Sequence, residues 1–331
     1  MGLGPFSERW RPPPPAARPA LRASTRLWRA LREPEQPQVA LEIRAGGVGV
    51  VRTRREGRAL VLAAASAVEL APEILLPSLT QPNLADPERF RVACRSALER
   101  AGVLGGAPVA LVLPDPVARV AIIPAAELAG RPSEMDELVR FRLRKSLPFD
   151  VREARVGHVR SPRASDPVIV VAALGSVLDA YEDVCRSLGL DPGLVELSGL
   201  ALCRSAFGPG SKGDRLLVNW DEGYATLLLV REGWPVLART LTGPMVSSPA
   251  EVAREAAQTL VYARERLGSP GLEQVVVRAA GLLGADAAGV LEAPLGLVPE
   301  MIDPWRALGT ADAGPAAQAL AGAAACLGAL A

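Results

Sequence analysis

The chain has 331 residues, 49% of them hydrophobic and 22% charged, with 37 basic against 36 acidic side chains. That composition excludes a wholly disordered chain, and a net charge of +1 excludes a global field that would draw it to nucleic acid. Four cysteines without a CxxC spacing exclude a zinc ribbon or thioredoxin-type motif, and the apolar stretches at 60–68 and 319–331 are far shorter than the ~20 residues of a membrane span.

Residues 1–37 read as a disordered Arg/Pro-rich tail, because the prolines at 12–15 forbid a helix there and the composition buries too little apolar area. Up to residue 36 it carries seven Arg against Glu8, Glu33 and Glu35, so the tail is the cationic part of the chain. Within it, residues 20–32 place Leu21, Leu27, Trp28 and Leu31 opposite Arg22, Arg26 and Arg29. This is either a helix seeking an anionic membrane surface or chance periodicity in the tail.

From Val39 the alternation changes to that of strands: 39–43, a turn at Gly46 and Gly47, then 48–53 and 58–65, a three-stranded meander. Asp86-Pro87 caps a helix to about Ala101, and strands are expected at 109–113 and 118–123. Ser133 and Asp136 open a helix that stops before Leu147-Pro148, its basic end (Arg140, Arg142, Arg144, Lys145) complementing the helix dipole. Strands follow at 154–159 and 168–173, then a helix at 176–188.

Residues 208–214 read as an interior linker and domain boundary. A second meander follows at 216–219, 224–231 and 235–241, so the first half's pattern recurs. Ser248-Pro249 caps a helix to about Leu267; a strand at 274–278 leads through Ala279-Ala280-Gly281 into another helix, and an apolar closing helix is expected at 315–327. The expected domains are 38–207, with an insert at about 86–160, and 208–331.

Chemistry-bearing motifs are absent. The single histidine, His158, lies in an expected strand and reads as an ordinary strand residue, no GxSxG occurs, and no set of carboxylates, His and Cys suggests a metal site. Residues 208–214 lack the Gly-Lys-Ser/Thr end of a phosphate loop, with Asp214 at the lysine position, and Arg52 stands where GxGxxG needs its third glycine.

The repeated strand-turn-strand pattern with an insert in its first half resembles the actin-like fold shared by actin, chaperone ATPases and sugar kinases, and within it the PilM-type proteins of type IV pilus assembly. The stretch 133–150 (SEMDELVRFRLRKSLPFD) is similar to that family's acidic-start helix ending in a Leu-Pro-aromatic-acid turn. Residues 168–198, with CRSLGLDP at 185–192, resemble its strand, helix and strand unit; 216–240, ending Ala238-Arg239-Thr240, its second meander; 296–304 and the Ala-rich C-terminus, its last segments. The resemblance implies a duplicated α/β fold with a reduced second half, and a cleft for ATP and Mg²⁺ between two glycine turns.

The departures fall on that cleft. Glu42 stands where the family usually has Asp, Arg44 where a Gly admits phosphate, Gly49 where Lys is frequent, Asn219 for Asp and Asp221 for Gly; Thr226 is retained. Asn219 cannot bring the charge that Mg²⁺ wants, and Asp221 with Glu222 would face a polyphosphate. On the adenosine side Ala279 and Ala280, beside Gly281, replace glycines that let a base lie on the backbone. A vestigial cleft and a non-catalytic platform are therefore expected, with no bound cofactor. The alternatives are a working ATPase of the same machinery, and the cytosolic half of a GspL-like type II secretion platform. The resemblance also implies a partner, the short cytosolic N-terminal segment of a PilN-like inner-membrane protein, held in a groove between the first core subdomain and its insert. By position Leu138, Phe141, Leu147, Pro148 and Phe149 would line or support it, although Leu138 and Phe141 read more readily as the insert's own core.

Overall fold

The computed structural model describes residues 37–56, 59–103, 105–128, 134–207, 213–279, 284–304 and 323–330. The tail and its amphipathic stretch 20–32 lie outside the described residues.

The first meander forms as β1 (Val39–Arg44), β2 (Gly47–Glu56) and β3 (Ala59–Glu69), joined by β4 (Pro108–Leu113) and β8 (Asp191–Leu197) in the order β3-β2-β1-β4-β8. In the second half β9 (Asp214–Asp221), β10 (Tyr224–Arg231), β11 (Trp234–Thr242), β12 (Leu272–Ala279) and β13 (Glu300–Met301) take the order β11-β10-β9-β12-β13. The two orders match strand for strand: an antiparallel meander whose first strand then pairs in parallel with the next, β1 with β4 and β9 with β12. The duplication read from the two meanders is therefore present in the topology.

Capping sets the helices. Asp86 accepts from the Arg89 amide at 3.0 Å and opens α1 (Pro87–Arg100). Among the remaining helices, α2 (Met135–Leu143) belongs to the insert, while α3 (Gly175–Ser187) and α4 (Ser198–Ala206) flank β8 in sequence. Ser248 caps α5 (Pro249–Leu267), which ends at Gly268 in the left-handed conformation, φ 60°. The last two helices are α6 (Gly284–Leu295) and α7 (Ala324–Leu330).

Strand alternation sends each sheet's side chains two ways. In β1 and β4, Leu41, Ile43, Val109 and Leu111 pack under α1 and α3, while Ala40, Ala110 and Val112 face the other sheet. In β9 and β12, Leu216, Val218, Val275 and Val277 pack under α5 and α6, while Leu217 and Val276 face inward. Between the sheets lie α4 and α7, whose small residues Ala201, Ala324 and Ala325 fill the middle layer.

Three expectations need correction. The small sheet, order β5-β7-β6, is built from β5 (Ala118–Ile123), β6 (Ala154–Val159) and β7 (Val168–Leu174), so the insert runs later than 86–160. Helix α1 belongs to the first sheet instead, because Phe90, Cys94 and Ala97 join that sheet's core. Asp214 is no linker residue. It is fully buried at the head of β9, where Arg231 Nε and Nη2 donate to its carboxylate at 2.7 and 2.9 Å. That pairing offsets a burial which a charge in a glycine-rich stretch does not announce. The start of the expected closing helix, 315–322, lies outside the described residues.

Burial pushes the thiols of Cys94 and Cys326 up and that of Cys185 to about 12. A folded chain at pH 8 is expected to accept thiol label at Cys203 at most, and a denatured chain at all four cysteines. Label on Cys326 in the native protein would mean that α7 is not seated.

Candidate functional site: the cleft between the two sheets

The alternation that sends Leu41 and Val218 outward sends Glu42, Asn219, Asp221, Thr226 and Arg278 inward, toward one another. Register reinforces this: Asn219 stands opposite Thr226 on β10 and opposite Arg278 on β12. Arg278, 2% exposed, is the centre. Its Nη2 donates to Glu42 Oε1 at 2.6 Å across the two halves, and its Nη1 donates to Asn219 Oδ1 at 3.0 Å and Asp221 Oδ2 at 3.2 Å.

The remaining acceptors are taken by the middle layer. Glu42 Oε2 accepts from the Ala325 amide of α7 at 2.9 Å. Asn219 Nδ2 donates to Asp115 Oδ2 at 2.8 Å and to Ser198 Oγ at 3.1 Å, and the Gly199 amide of α4 donates to Asp115 Oδ1 at 2.8 Å. A Cβ on Gly199 would stand 2.8 Å from Asp115 Oδ2, so glycine is required at this close approach. The hairpin turns face each other as well: Arg44 Nη1 lies 4.0 Å from Asp221, and a Cβ on Gly46 would stand 3.0 Å from Glu222. The Tyr224 hydroxyl and Arg44 Nε are the buried atoms of this cluster without a protein partner.

Burial works against the Arg278 charge, yet the Glu42 and Asp221 carboxylates hold the guanidinium firmly protonated. Burial also raises Glu42 above its ordinary 4.5, against the pull of Arg278 and Arg44, and raises Asp115, which has hydrogen bonds but no cation in contact. Both shifts make the native state bind protons more tightly than the unfolded chain. The stability they contribute is complete below the ordinary carboxylate values and is lost as pH rises through the raised ones.

Of the expected cleft residues, the structure brings Glu42, Arg44, Asn219, Asp221 and Thr226 together, while Ala280 and Gly281 lie outside the described residues. Sequence reasoning missed Arg278 and Asp115. The available signal for Arg278 was a lone cation closing the apolar run Val275-Val276-Val277, which a buried strand tolerates only with partners. Among the described residues no group of three or more His, Cys, Asp or Glu could hold a metal ion. His158 lies on β6 with Nδ1 3.6 Å from Asp136 Oδ1. The halves are tied a second time at the loop before β7: Arg163 donates to Glu232 Oε2 and the Glu232 carbonyl at 2.6 and 2.9 Å, and Trp234 Nε1 donates to the Pro167 carbonyl at 2.8 Å.

The five residues expected at a partner groove are spread over the insert. Leu147 is in its core, Leu138 and Phe149 pack partly against that core, Pro148 is exposed, and Phe141 is 71% exposed where core was the readier expectation. One recess lies on the insert itself, lined by Arg144, Phe149, Asp150, Val151 and Arg152, and a second, a groove, lies on the first half. Pro82, Leu84, Val177, Ala180 and Val184 line it, and Leu174 at the end of β7 brings the insert to its edge. Its loop wall is rigid: Asn83 is held by Ser78 and Gln81, and the buried Tyr181 hydroxyl donates to Asn83 Oδ1 at 3.0 Å.

Two five-stranded sheets of identical order, a helix pair between them and a small sheet inserted in the first half define an actin-like fold. A Bacteroides thetaiotaomicron protein with actin-like ATPase fold overlaps with a TM-score of 0.50 at 9% identity, over 87% of this chain and 96% of that one. More specifically, the chain is similar to one from the PilM–PilN type IV pilus biogenesis complex, with a TM-score of 0.69 at 21% identity over 89% of this chain and 99% of that one. The cytoplasmic domain of EpsL, an inner-membrane component of the Vibrio cholerae type II secretion system, overlaps at a TM-score of 0.45 and 10% identity, over 73% of this chain and 82% of that one. No protein-family profile matches the chain, and no curated protein does.

Proposed function

We propose that this protein is a non-catalytic, PilM-like platform of a type IV pilus assembly complex, which holds the cytosolic N-terminal segment of a PilN-like membrane protein and through it sits at the inner membrane. The fold likeness supports the PilM side of this reading, and the observation that carries the non-catalytic side is Arg278. A guanidinium, two carboxylates and an amide occupy the inner faces where the resemblance puts phosphate and metal. A triphosphate would have to displace a buried, mutually satisfied ion network and bring its own charge against Asp221 and Glu222.

The groove beside α3 would take the segment, since its rigid apolar wall offers pockets without an ordering cost. In this reading Leu147 and Phe149 hold the insert together at some remove from the segment. No helix of the described residues is long and apolar enough to cross a membrane; in this reading the partner's own span holds the protein at the membrane.

Titration of a labelled peptide carrying the cytosolic segment of the PilN-like protein from the same organism tests this. Ala180→Trp, which fills the groove, is expected to weaken binding at least tenfold, and Phe149→Ala to leave it unchanged. The opposite pattern would move the site onto the insert, and no binding to the wild-type chain would remove the proposed partner.

A further inference from the structure

Phe141 is used neither by the cleft nor by the groove, and its place on α2 is unusual. Its ring, 71% exposed, projects from the surface of the insert. Arg144, the cap of the helix, and Lys145 in the turn beyond it follow at i+3 and i+4, so two exposed cations stand at the end of the helix that carries the ring. The other two basic residues of the run are employed inside the insert. Arg140 donates to the Val151 and Ala154 carbonyls at 2.9 and 3.2 Å, and Arg142 pairs with Glu127 at 3.2 Å. Among the described residues Arg144 and Lys145 have no carboxylate within 4.0 Å; Asp150, which feels the Arg144 charge, is held by Arg152 at 3.0 Å. Of the helix's acids, Glu137 stands one turn back from Phe141 at i−4, and Asp136 beside it in the first turn, both on the N-terminal side of the cations.

We propose that the end of α2 is a contact for an anionic lipid surface, with Phe141 entering the headgroup region and Arg144 and Lys145 meeting lipid phosphate. Charge complementarity selects this occupant. The chain's own tail is cationic and would be repelled, whereas an anionic lipid surface brings the charge that Arg144 and Lys145 lack. A projecting ring beside these cations suits a bilayer interface, where aromatic rings sit at headgroup level and basic residues gain from anionic lipid. This inference stands independently of the groove and its peptide.

Co-sedimentation of the full chain with vesicles of phosphatidylcholine, with and without phosphatidylglycerol, tests it. Binding is expected only with phosphatidylglycerol and should fade in high salt. The double variant Arg144→Glu, Lys145→Glu should lower it at least about tenfold. Phe141→Ser should lower it several-fold, while Phe141→Trp retains it. The substituted side chains are exposed, so an unchanged urea midpoint is expected and serves as the folding control. Variants that bind as well as the wild type would overturn the proposal and place lipid contact elsewhere. So would a wild type indifferent to phosphatidylglycerol, or variants that lose only capture of the PilN-like segment, which would make the patch a protein surface.

Discussion

Arg278→Met is expected to destabilise the protein by about 3–5 kcal/mol, because it leaves the buried Glu42 and Asp221 carboxylates without their hydrogen-bonded cation, with only Arg44, 4.0 Å from Asp221, nearby. Methionine keeps most of the volume, so the loss reports charge more than packing. A urea titration read by tryptophan fluorescence measures it. Adding Glu42→Gln to the same chain should recover part of the loss, since the uncompensated charge at Glu42 is then gone, although the Ala325 amide keeps only a neutral acceptor. If Arg278→Met unfolds at the wild-type midpoint, the cation does not hold the halves together and the cleft is open to other guests.

The second large effect falls on a helix too short and plain to attract notice. Gly328 of α7 lies against the backbone of α4 so closely that a Cβ would stand 1.7 Å from the Ala201 carbonyl oxygen, and Arg204 Nε donates to the Gly328 carbonyl at 2.7 Å. In an isolated helix Gly→Ala is worth about 1 kcal/mol in favour of alanine. Here Gly328→Ala is expected to cost about 1–3 kcal/mol net, because α7 must lift off α4 and with it the Ala325 amide from Glu42. The sign is therefore diagnostic. Lifting should also open Cys326 to thiol reagents in the native state, a readout independent of the denaturation midpoint.

How far the sequence foretold this arrangement depended on the kind of signal. Period-2 alternation carried both meanders, and with them the inward direction of Glu42, Asn219, Asp221 and Thr226, because a one-residue slip would turn Leu41 and Val218 into the cleft. Side-chain caps at Asp86 and Ser248 carried the starts of α1 and α5. Failures came where tertiary partners outweigh local chemistry. Asp214 reads as loop until Arg231 is seen beside it, and Asp115, between two prolines, reads as a turn residue until the Gly199 amide is found on it. The insert boundary slipped because α1 and α2 have the same amphipathic character, and only packing tells that one lies on the first sheet and the other on the small one. Phe141 reads more readily as core, since large apolar rings are mostly buried, and only the packing of α2 shows it turned outward. The resemblance supplied the meeting of the two turns, and the departures within them pointed to a vestigial cleft without showing that an arginine from a third strand fills it.

A non-catalytic role requires that the inner faces of the two sheets are already occupied by their own side chains. Chemical denaturation of the full chain with and without millimolar Mg-ATP measures this most directly. A nucleotide present at 100 times its dissociation constant would add about 2.7 kcal/mol to the unfolding free energy. Coincident curves are expected for the wild type. A stabilisation of that order, abolished by substitution at Asn219 or Asp221, would contradict that role and make the protein a working nucleotide binder.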